Sequence, residues 1–160
     1  FFKQKTAYEM RVHDDGKTWI HSGDWGYMDE DGFVFIVGRI KRMITRFDGH
    51  KVFPVNVEGL LAARADVRNV CVVGVNDREH SQGQYPIVVL EFAQALSDEE
   101  KAQKCREIFD FCDKEVEERG KPVAVVAIDE IPLTGMGKND YRAVGKMYEA
   151  FDYNAWSCGN

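Results

Sequence analysis

Residues 70–92, VCVVGVNDREHSQGQYPIVVLEF, decide the fold of this chain. They contain two apolar runs, Val70 to Val75 and Ile87 to Phe92, separated by a polar loop that includes Gly83. Continuous apolar runs of this length, rich in valine and bounded by polar residues, are typical of strands that are covered on both faces. The pattern therefore predicts two buried strands in the middle of the chain.

Helices are predicted on both sides of these strands. Pro54 suits the first turn of a helix, because no hydrogen-bond donor is needed at that position. Ser97 and Glu100 have the spacing of a capping box, and they open a helix predicted over residues 98–119 that Gly120 would end.

The carboxyl-terminal part completes the predicted fold. Residues 123–128 are a third apolar run, and a last short helix is predicted from about Asp140, with Asn139 as its cap. From residue 54 onward the predicted order is helix, strand, strand, helix, strand, helix. This order indicates the fold class α+β, with a small three-stranded sheet covered by helices.

The amino-terminal part favours β structure. Residues 18–37 predict a β-hairpin, since an Asp31-Gly32 turn separates two runs rich in aromatic and β-branched residues. A short basic strand over residues 38–46 follows and is broken at Asp48-Gly49. A β-hairpin region is thus expected to precede the α+β part.

Composition is that of a globular protein and excludes several functions. Of 160 residues, 44% are hydrophobic, and Lys+Arg of 21 against Asp+Glu of 27 gives a net charge of −6. General nucleic-acid binding depends on neutralising phosphates, which an acidic chain does poorly. The longest apolar run, about six residues, is too short for a membrane-spanning helix. Four cysteines without a Cys-x-x-Cys pair favour a reduced, cytoplasmic protein without a metal site, and Cys105 and Cys112 are expected to pack in the core.

Asp24 and a basic segment are candidates for binding an anionic nucleotide. Asp24 lies in the turn sequence Ser22-Gly23-Asp24, where its carboxylate can accept two hydrogen bonds from a ribose diol or can simply satisfy its own turn. Residues 39–51 hold five basic residues against one acidic residue, a local charge of 5 − 1 = +4. This charge suits an anionic ligand and equally suits an edge strand protected against aggregation.

Lys138 is a further candidate, because Gly135 and Gly137 leave the backbone before it unusually free. A lysine on such a loop can bring a positive charge to a reacting phosphorus centre, although a solvated loop lysine is the simpler interpretation. The loop is not a phosphate-binding Walker A loop, since Pro132 stands where that motif requires glycine and Asn139 where it requires serine or threonine.

Five motifs occur in an order and spacing that resemble one enzyme superfamily. They are residues 19–27 (WIHSGDWGY), 38–44 (GRIKRMI), 49–58 (GHKVFPVNVE), 70–77 (VCVVGVND) and 131–138 (IPLTGMGK). Together they resemble the C-terminal part of the adenylate-forming, or AMP-binding, acyl-CoA synthetases. That superfamily also includes peptide-synthetase adenylation domains and luciferases.

The resemblance implies a role for each candidate residue. Asp24 would bind the ribose hydroxyls of ATP and of the acyl adenylate, with Arg39 beside it on the same nucleotide. Lys41 falls at the hinge between the large N-terminal domain and the small C-terminal domain. Gly49 falls in the turn that approaches the pantetheine of coenzyme A, and Lys138 matches the lysine that stabilises the adenylation transition state.

The implied enzyme is an AMP-forming acyl-CoA synthetase, a ligase of fatty acid metabolism. A small-molecule carboxylate and ATP with Mg²⁺ would give acyl-AMP and pyrophosphate, after which the C-terminal domain rotates and the thiol of coenzyme A displaces AMP. The phosphate loop, the acyl pocket and the Mg²⁺ ligands would belong to an N-terminal domain that this sequence lacks. The chain alone is therefore expected to be an inactive fragment.

The resemblance also implies a domain organisation. Residues 12–40 would end the large adenylation domain, residues 41–150 would form the C-terminal lid domain, and residues 151–160 would be a tail. Residues 1–11 resemble a translated sequencing-adapter remnant and are predicted to be non-native. In the alternative interpretation, Phe1-Phe2 matches an aromatic pair that the family carries near this position.

Two other functions remain open at the level of sequence. The chain could belong to an adenylation domain that loads a carrier protein, against which only 160 − 138 = 22 residues follow Lys138. It could also be a non-enzymatic α+β module that binds an anionic partner through residues 39–51.

Overall fold

The computed structural model of the chain describes residues 9–156. The chain divides into two compact units whose boundary lies between Arg42 and Met43. Residues 1–8, which make up most of the segment predicted to be non-native, lie outside the described residues, as does part of the predicted tail, residues 157–160.

Within its described residues, 9–42, the first unit contains two antiparallel strand pairs. Strand β1 (Glu9–Val12) pairs with β2 (Thr18–His21), and β3 (Asp24–Met28) pairs with β4 (Val34–Arg39). The predicted β-hairpin region is confirmed, but the hairpin consists of β3 and β4 and does not include residues 18–21. The left-handed backbone of Gly23 (φ 78°) separates β2 from β3, and β2 pairs with β1 instead.

The β3–β4 turn is built as its sequence predicts. The side chain of Asp29 accepts hydrogen bonds from the amides of Asp31 and Phe33, at 3.1 and 2.9 Å. Gly32 adopts a left-handed conformation, with φ 89°, that glycine reaches without steric cost.

Apolar side chains of the first unit are largely exposed. No side chain between residues 10 and 42 is buried, and Ile20, Tyr27 and Ile36 are 64%, 60% and 64% exposed. Two-stranded sheets are marginally stable in water without a further packed layer. This unit therefore has no hydrophobic core of its own within its described residues.

The second unit is a three-stranded sheet covered by helices, which confirms the predicted α+β class. The sheet order is β7-β8-β9, with β7 and β8 antiparallel and β8 and β9 parallel. In chain order the elements are β5 (Ile44–Thr45), β6 (Lys51–Val52), α1 (Pro54–Ala62), β7 (Val67–Asn76), β8 (Gln84–Phe92), α2 (Asp98–Glu115), β9 (Ala124–Ala127) and α3 (Tyr141–Met147).

Both faces of this sheet are covered, which explains the continuous apolar runs of its strands. Successive side chains of a strand point to opposite faces, so neighbouring residues of β7 enter different cores. Val70 and Val72 pack with Leu61 of α1 and Ile108 of α2. Cys71, Val73 and Val75 lie in a second core with Val144 of α3 and with aromatic residues of the segment 148–156.

Helix α2 begins as predicted and ends earlier. Both hydrogen bonds of the capping box between Ser97 and Glu100 are present. The helix ends at Glu115, because Val116 takes an extended conformation (φ −96°, ψ 138°) and packs its side chain against the core. A short 3-10 turn, Glu118–Gly120, then occupies the rest of the predicted helix.

Two further predictions need correction. The cap of α3 is Asp140 and not Asn139, because the Asp140 carboxylate accepts hydrogen bonds from two amides of the first helical turn. The basic strand predicted over 38–46 is also divided: β4 ends at Arg39, a 3-10 turn spans Ile40–Arg42, and only Ile44–Thr45 pair as β5.

Candidate functional site

The structure brings Asp24 and Arg39 together. They are direct partners in the β3–β4 register, and Arg39 Nε lies 2.9 Å from Asp24 Oδ1. Arg39 also donates a hydrogen bond from Nη1 to the carbonyl oxygen of Ser22, at 2.9 Å. Asp24 Oδ2 accepts no hydrogen bond within residues 9–156, so half of this carboxylate is free to accept hydrogen bonds from a ligand.

Lys41 lies in the 3-10 turn Ile40–Arg42, immediately before the boundary between the two units. The amide of Ile40 donates a hydrogen bond to the carbonyl oxygen of Gly23, at 2.9 Å, and this bond fixes the start of the turn. The Lys41 side chain is exposed.

Gly49 lies on the turn between β5 and β6. The Gly49 amide donates to the carbonyl oxygen of Arg46, and the Arg46 amide donates to that of His50, each at 2.9 Å. Asp48 Oδ1 accepts a hydrogen bond from the His50 amide at 3.0 Å, and this bond lowers the pKa of Asp48. Gly49 has φ 80° and no atom within 4 Å of the position that a Cβ would occupy, so its backbone is open to a close approach.

The β7–β8 loop packs against the chain that leads into this turn. A Cβ on Gly83 would lie 2.4 Å from the Phe47 nitrogen, and the Phe47 ring stacks on the His80 ring with centroids 3.6 Å apart. His80 Nδ1 lies 2.9 Å from Oδ2 of the buried Asp77. Burial by itself would raise the pKa of Asp77, but hydrogen bonds from Glu79 and His80 outweigh it and lower that pKa.

Sequence analysis assigned no role to this support. The sequence indicates only that Gly83 lies in a polar loop, and no rule of residue spacing connects residues 47 and 83. The contact between them is fixed by the pairing of β7 and β8 and by the packing of β5 against β8.

Lys138 lies on an exposed turn whose stem is closed by a bridge between Leu133 and Asn139. Within the turn, the Thr134 amide donates to the Lys138 carbonyl oxygen at 2.7 Å, and the Lys138 amide donates to Thr134 Oγ1 at 3.2 Å. Gly137 supplies a left-handed conformation with φ 74°. In the described part of the chain the Lys138 ammonium group has no ion-pair partner, so its charge is available to a ligand.

The Lys138 turn and the Gly49 turn lie at opposite ends of β7. Asn139, next to Lys138, is hydrogen-bonded to Asn69 near the start of β7. Gly83 and His80, which contact the chain leading to the Gly49 turn, follow the end of β7. Seven residue steps separate Asn69 from Asn76, which corresponds to roughly 23 Å of extended strand. The supports of the two turns are therefore separated by most of the length of β7.

Comparison with known proteins identifies the fold. The sequence profile of the family described as "AMP-binding enzyme C-terminal domain" matches residues 56–138. The chain belongs to this family. In this AMP-binding C-terminal domain, the matched range ends at Lys138. The range also includes the β7–β8 loop, which contacts the chain leading to the Gly49 turn.

The relatives of the domain are CoA ligases. The medium/long-chain-fatty-acid–CoA ligase FadD8 of Mycobacterium tuberculosis is 37% identical over 134 residues, which are 84% of this chain and 23% of that protein. The putative acyl-CoA synthetase YngI of Bacillus subtilis is 31% identical over 157 residues, which are 97% and 27% of the two chains. The chain thus spans about a quarter of the length of these relatives.

Solved structures share the fold of the domain. The amide bond synthetase McbA from Marinactinospora thermotolerans is 27% identical, with a TM-score of 0.66, and the match covers 86% of this chain and 26% of that one. An ATP-bound RpMatB-BxBclM chimera is 25% identical with a TM-score of 0.71, covering 88% and 26%.

The described residues contain neither a metal-ligand cluster nor a transmembrane helix. Between residues 9 and 156, no group of three or more His, Cys, Asp or Glu side chains is arranged to hold a metal. Over the same range, no helix has the length and apolar composition needed to cross a bilayer.

The described cysteines of the domain are core residues, as predicted for Cys105 and Cys112. Cys71, Cys105 and Cys112 are buried, and none of the three takes part in a disulfide bond among the described residues. Burial raises the pKa of the Cys112 thiol to about 11, so this group stays protonated at neutral pH. A protonated, enclosed thiol is a poor nucleophile and a poor metal ligand.

Proposed function

We propose that this chain is the C-terminal part of an AMP-forming acid–thiol ligase, an acyl-CoA synthetase. The enzyme activates a carboxylate with ATP to acyl-AMP and then transfers the acyl group to coenzyme A. The observation that carries the proposal is the separation of the Lys138 and Gly49 turns at the two ends of β7. A domain built in this way can present one turn to a reaction centre and then, after rotation, the other.

In the adenylation step, Lys138 supplies positive charge to the reacting phosphate. Its ammonium group has no partner among residues 9–156 and stands on an exposed turn, so no ion pair has to be broken before it meets a ligand. Charge stabilisation of this kind acts on the transition state more than on the bound substrate.

Asp24 and Arg39 bind the nucleotide in the same proposal. The free Oδ2 of Asp24 accepts hydrogen bonds from the ribose hydroxyls, while Oδ1 is held by Arg39 at 2.9 Å. A carboxylate fixed on one side by a guanidinium group is oriented before the ligand arrives, which reduces the entropy lost on binding.

In the thioester step, the Gly49 turn faces the pantetheine arm of coenzyme A. Gly49 carries no side chain and has open space around its Cβ position, so the backbone admits a narrow thiol arm. Lys41, beside the boundary between the units, is the proposed hinge about which the domain turns.

The exposed apolar side chains of the first unit support an assignment of residues 12–40 to the end of a larger N-terminal domain. Relatives four times as long as this chain have room for such a domain, and its surface would cover side chains such as Ile20 and Ile36. Residues 41–150 are then the lid, and ATP, Mg²⁺ and the carboxylate bind in the N-terminal domain. The cytoplasmic location expected from the sequence stays a prediction.

The test separates the two half-reactions in a full-length ligase that carries this chain. Lys138→Ala should suppress adenylation, measured by pyrophosphate exchange, and should leave thioester formation from supplied acyl-AMP largely intact. Lys146→Ala, which removes an exposed lysine from α3, is the matched control. Equal loss of both steps in Lys138→Ala would remove Lys138 from its proposed role, and pyrophosphate exchange by the 160-residue chain alone would contradict its assignment as a fragment.

The acyl acceptor is tested by product analysis with coenzyme A as the sole thiol. Formation of an acyl-CoA supports the ligase, whereas acylation that requires a carrier protein would favour a carrier-loading enzyme. Fatty acids are the first carboxylates to test, because one relative is named a medium/long-chain-fatty-acid ligase.

A further inference from the structure

Two asparagine side chains connect the Lys138 turn to the sheet. Asn69 Nδ2 donates to Asn139 Oδ1 at 2.8 Å, and Asn139 Nδ2 donates back to Asn69 Oδ1 at 3.1 Å. A reciprocal pair of amides needs both groups in one plane and in one orientation. It therefore fixes direction as well as distance.

The same two amides also hold the Val70 peptide group. The Val70 amide donates to Asn69 Oδ1 at 2.9 Å, and the Val70 carbonyl oxygen accepts from Asn139 Nδ2 at 3.0 Å. Because β7 is an edge strand, no strand among residues 9–156 lies beside these backbone groups on that side. Two residues further along β7, the Val72 amide likewise donates a hydrogen bond to a side chain, Glu58 Oε1, at 2.9 Å. Polar side chains thus take the place of a further strand along this edge.

Asn139 has two attachments, and Lys138 stands directly before it. Its backbone closes the turn by pairing with Leu133, and its side chain binds the edge of β7. The residues at the tip, Gly135 and Met136, are exposed. The turn thus has a fixed stem and an open tip, and the Cα atom of Lys138 belongs to the stem.

We propose that Asn69 and Asn139 are positioning residues that hold Lys138 in the geometry required for adenylation. The inference rests on the proposed function of Lys138, and it adds the two residues through which the sheet holds Lys138 in position. A charge delivered to a transition state is effective only if its position is fixed before the reaction, and a misplacement of about 1 Å can cost about a hundredfold in rate. The amide pair supplies that fixation, while the long lysine side chain remains free to reach the ligand.

Two substitutions at Asn139 separate hydrogen bonding from shape. Asn139→Leu removes the amide and keeps a similar volume. Asn139→Asp keeps the shape, but its carboxylate cannot donate and faces two acceptors, Asn69 Oδ1 and the Val70 carbonyl oxygen. Gln103→Leu, at an exposed amide of α2 that bonds only locally to Glu107, is the matched control.

In the full-length ligase, each Asn139 variant should lower kcat for adenylation by about 10- to 100-fold. Thioester formation from supplied acyl-AMP should stay within about twofold of wild type, since it does not use Lys138. The double variant Asn69→Leu/Asn139→Leu should be no worse than Asn139→Leu, because the two residues act as one unit. Equal loss in both steps, additive losses, or unchanged adenylation would overturn the inference.

Hydrogen exchange in the 160-residue chain provides an arm that does not depend on enzyme activity. Asn139→Leu should speed exchange of the Gly137 and Lys138 amides, which are bonded within the turn, by about tenfold or more, with α2 amides unchanged. Unchanged exchange in the turn would overturn the positioning role, and faster exchange everywhere would show a general loss of fold instead. A wild-type ligase without adenylation activity would contradict the proposed function of Lys138, while the exchange result would still decide whether the amide pair orders the turn.

Discussion

Replacing Gly83 by alanine tests whether the β7–β8 loop supports the Gly49 turn. Gly83 has φ 108°, a conformation that an L side chain rarely adopts. The added Cβ would lie 2.4 Å from the Phe47 nitrogen and 2.7 Å from its Cα atom. Both are backbone atoms of the chain leading to Gly49, so no side-chain rotation can relieve the overlap.

The expected loss of stability combines two effects. A left-handed conformation costs a residue with a Cβ about 1–2 kcal/mol. Overpacking against a rigid neighbour adds typically about 1–3 kcal/mol. We therefore expect Gly83→Ala to lower the free energy of unfolding by about 3 kcal/mol, which is a large part of the 5–15 kcal/mol or so that stabilises an ordinary domain.

Urea denaturation of the 160-residue chain, followed by far-UV circular dichroism, measures this loss. With an m-value of about 1.5 kcal/mol/M, the midpoint should fall by about 2 M. Gly59→Ala is the matched control. Gly59 lies inside α1, with no atom within 4 Å of its Cβ position and no left-handed φ, so alanine should stabilise the helix by up to about 1 kcal/mol.

The two substitutions are chemically identical and should shift the midpoint in opposite directions. Midpoints for Gly83→Ala and Gly59→Ala that agree within error would refute the contact between Gly83 and the Phe47 backbone. In a full-length ligase, Gly83→Ala should also slow thioester formation more than adenylation, because the displaced segment leads to Gly49.

The remaining predictions concern a partly buried ion pair, a thiol and the nucleotide site. Asp66 accepts two hydrogen bonds from Arg64, at 3.0 and 2.9 Å, and they lower the pKa of Asp66. The ion pair should therefore stabilise the fold above about pH 4, and this stabilisation should be lost as the pH falls further. Asp66→Asn should cost about 1 kcal/mol at neutral pH and much less in acid, measured by urea denaturation at both. Cys112, whose pKa burial raises to about 11, should resist iodoacetamide at about pH 8 until urea unfolds the chain, as read by peptide mass spectrometry; rapid native labelling would contradict its burial. Arg39→Lys should raise the KM for ATP of a full-length ligase more than it lowers kcat, because lysine cannot hold Asp24 and the Ser22 carbonyl oxygen in the same fork.

The sequence by itself determined the elements whose signals are local. Pro54 at the start of α1 and the Ser97–Glu100 capping box each act within a few residues, and the structure contains both. The apolar runs of β7, β8 and β9 are equally clear signals. Strands that are covered on both faces are apolar at nearly every position, so they can be recognised without an alternation of polar and apolar residues.

Local signals were misleading where two local interactions compete. Asn139 is a good helix cap by residue type, and so is Asp140. The choice fell to Asp140 because the Asn139 amide is bonded to Asn69, 70 residues earlier in the chain. The end of α2 was likewise set by the core, which takes the side chain of Val116 out of the helix.

Only the tertiary structure decided the arrangement of the candidate sites. Each motif of the family resemblance could be read from the sequence, including Asp24, Gly49 and Lys138. Their relative positions depend on which strands pair, since the β7–β8 antiparallel register separates the supports of the Gly49 and Lys138 turns by the length of β7. Such pairings join residues far apart in sequence, and their free energy comes from burial in the shared core, which no local pattern encodes.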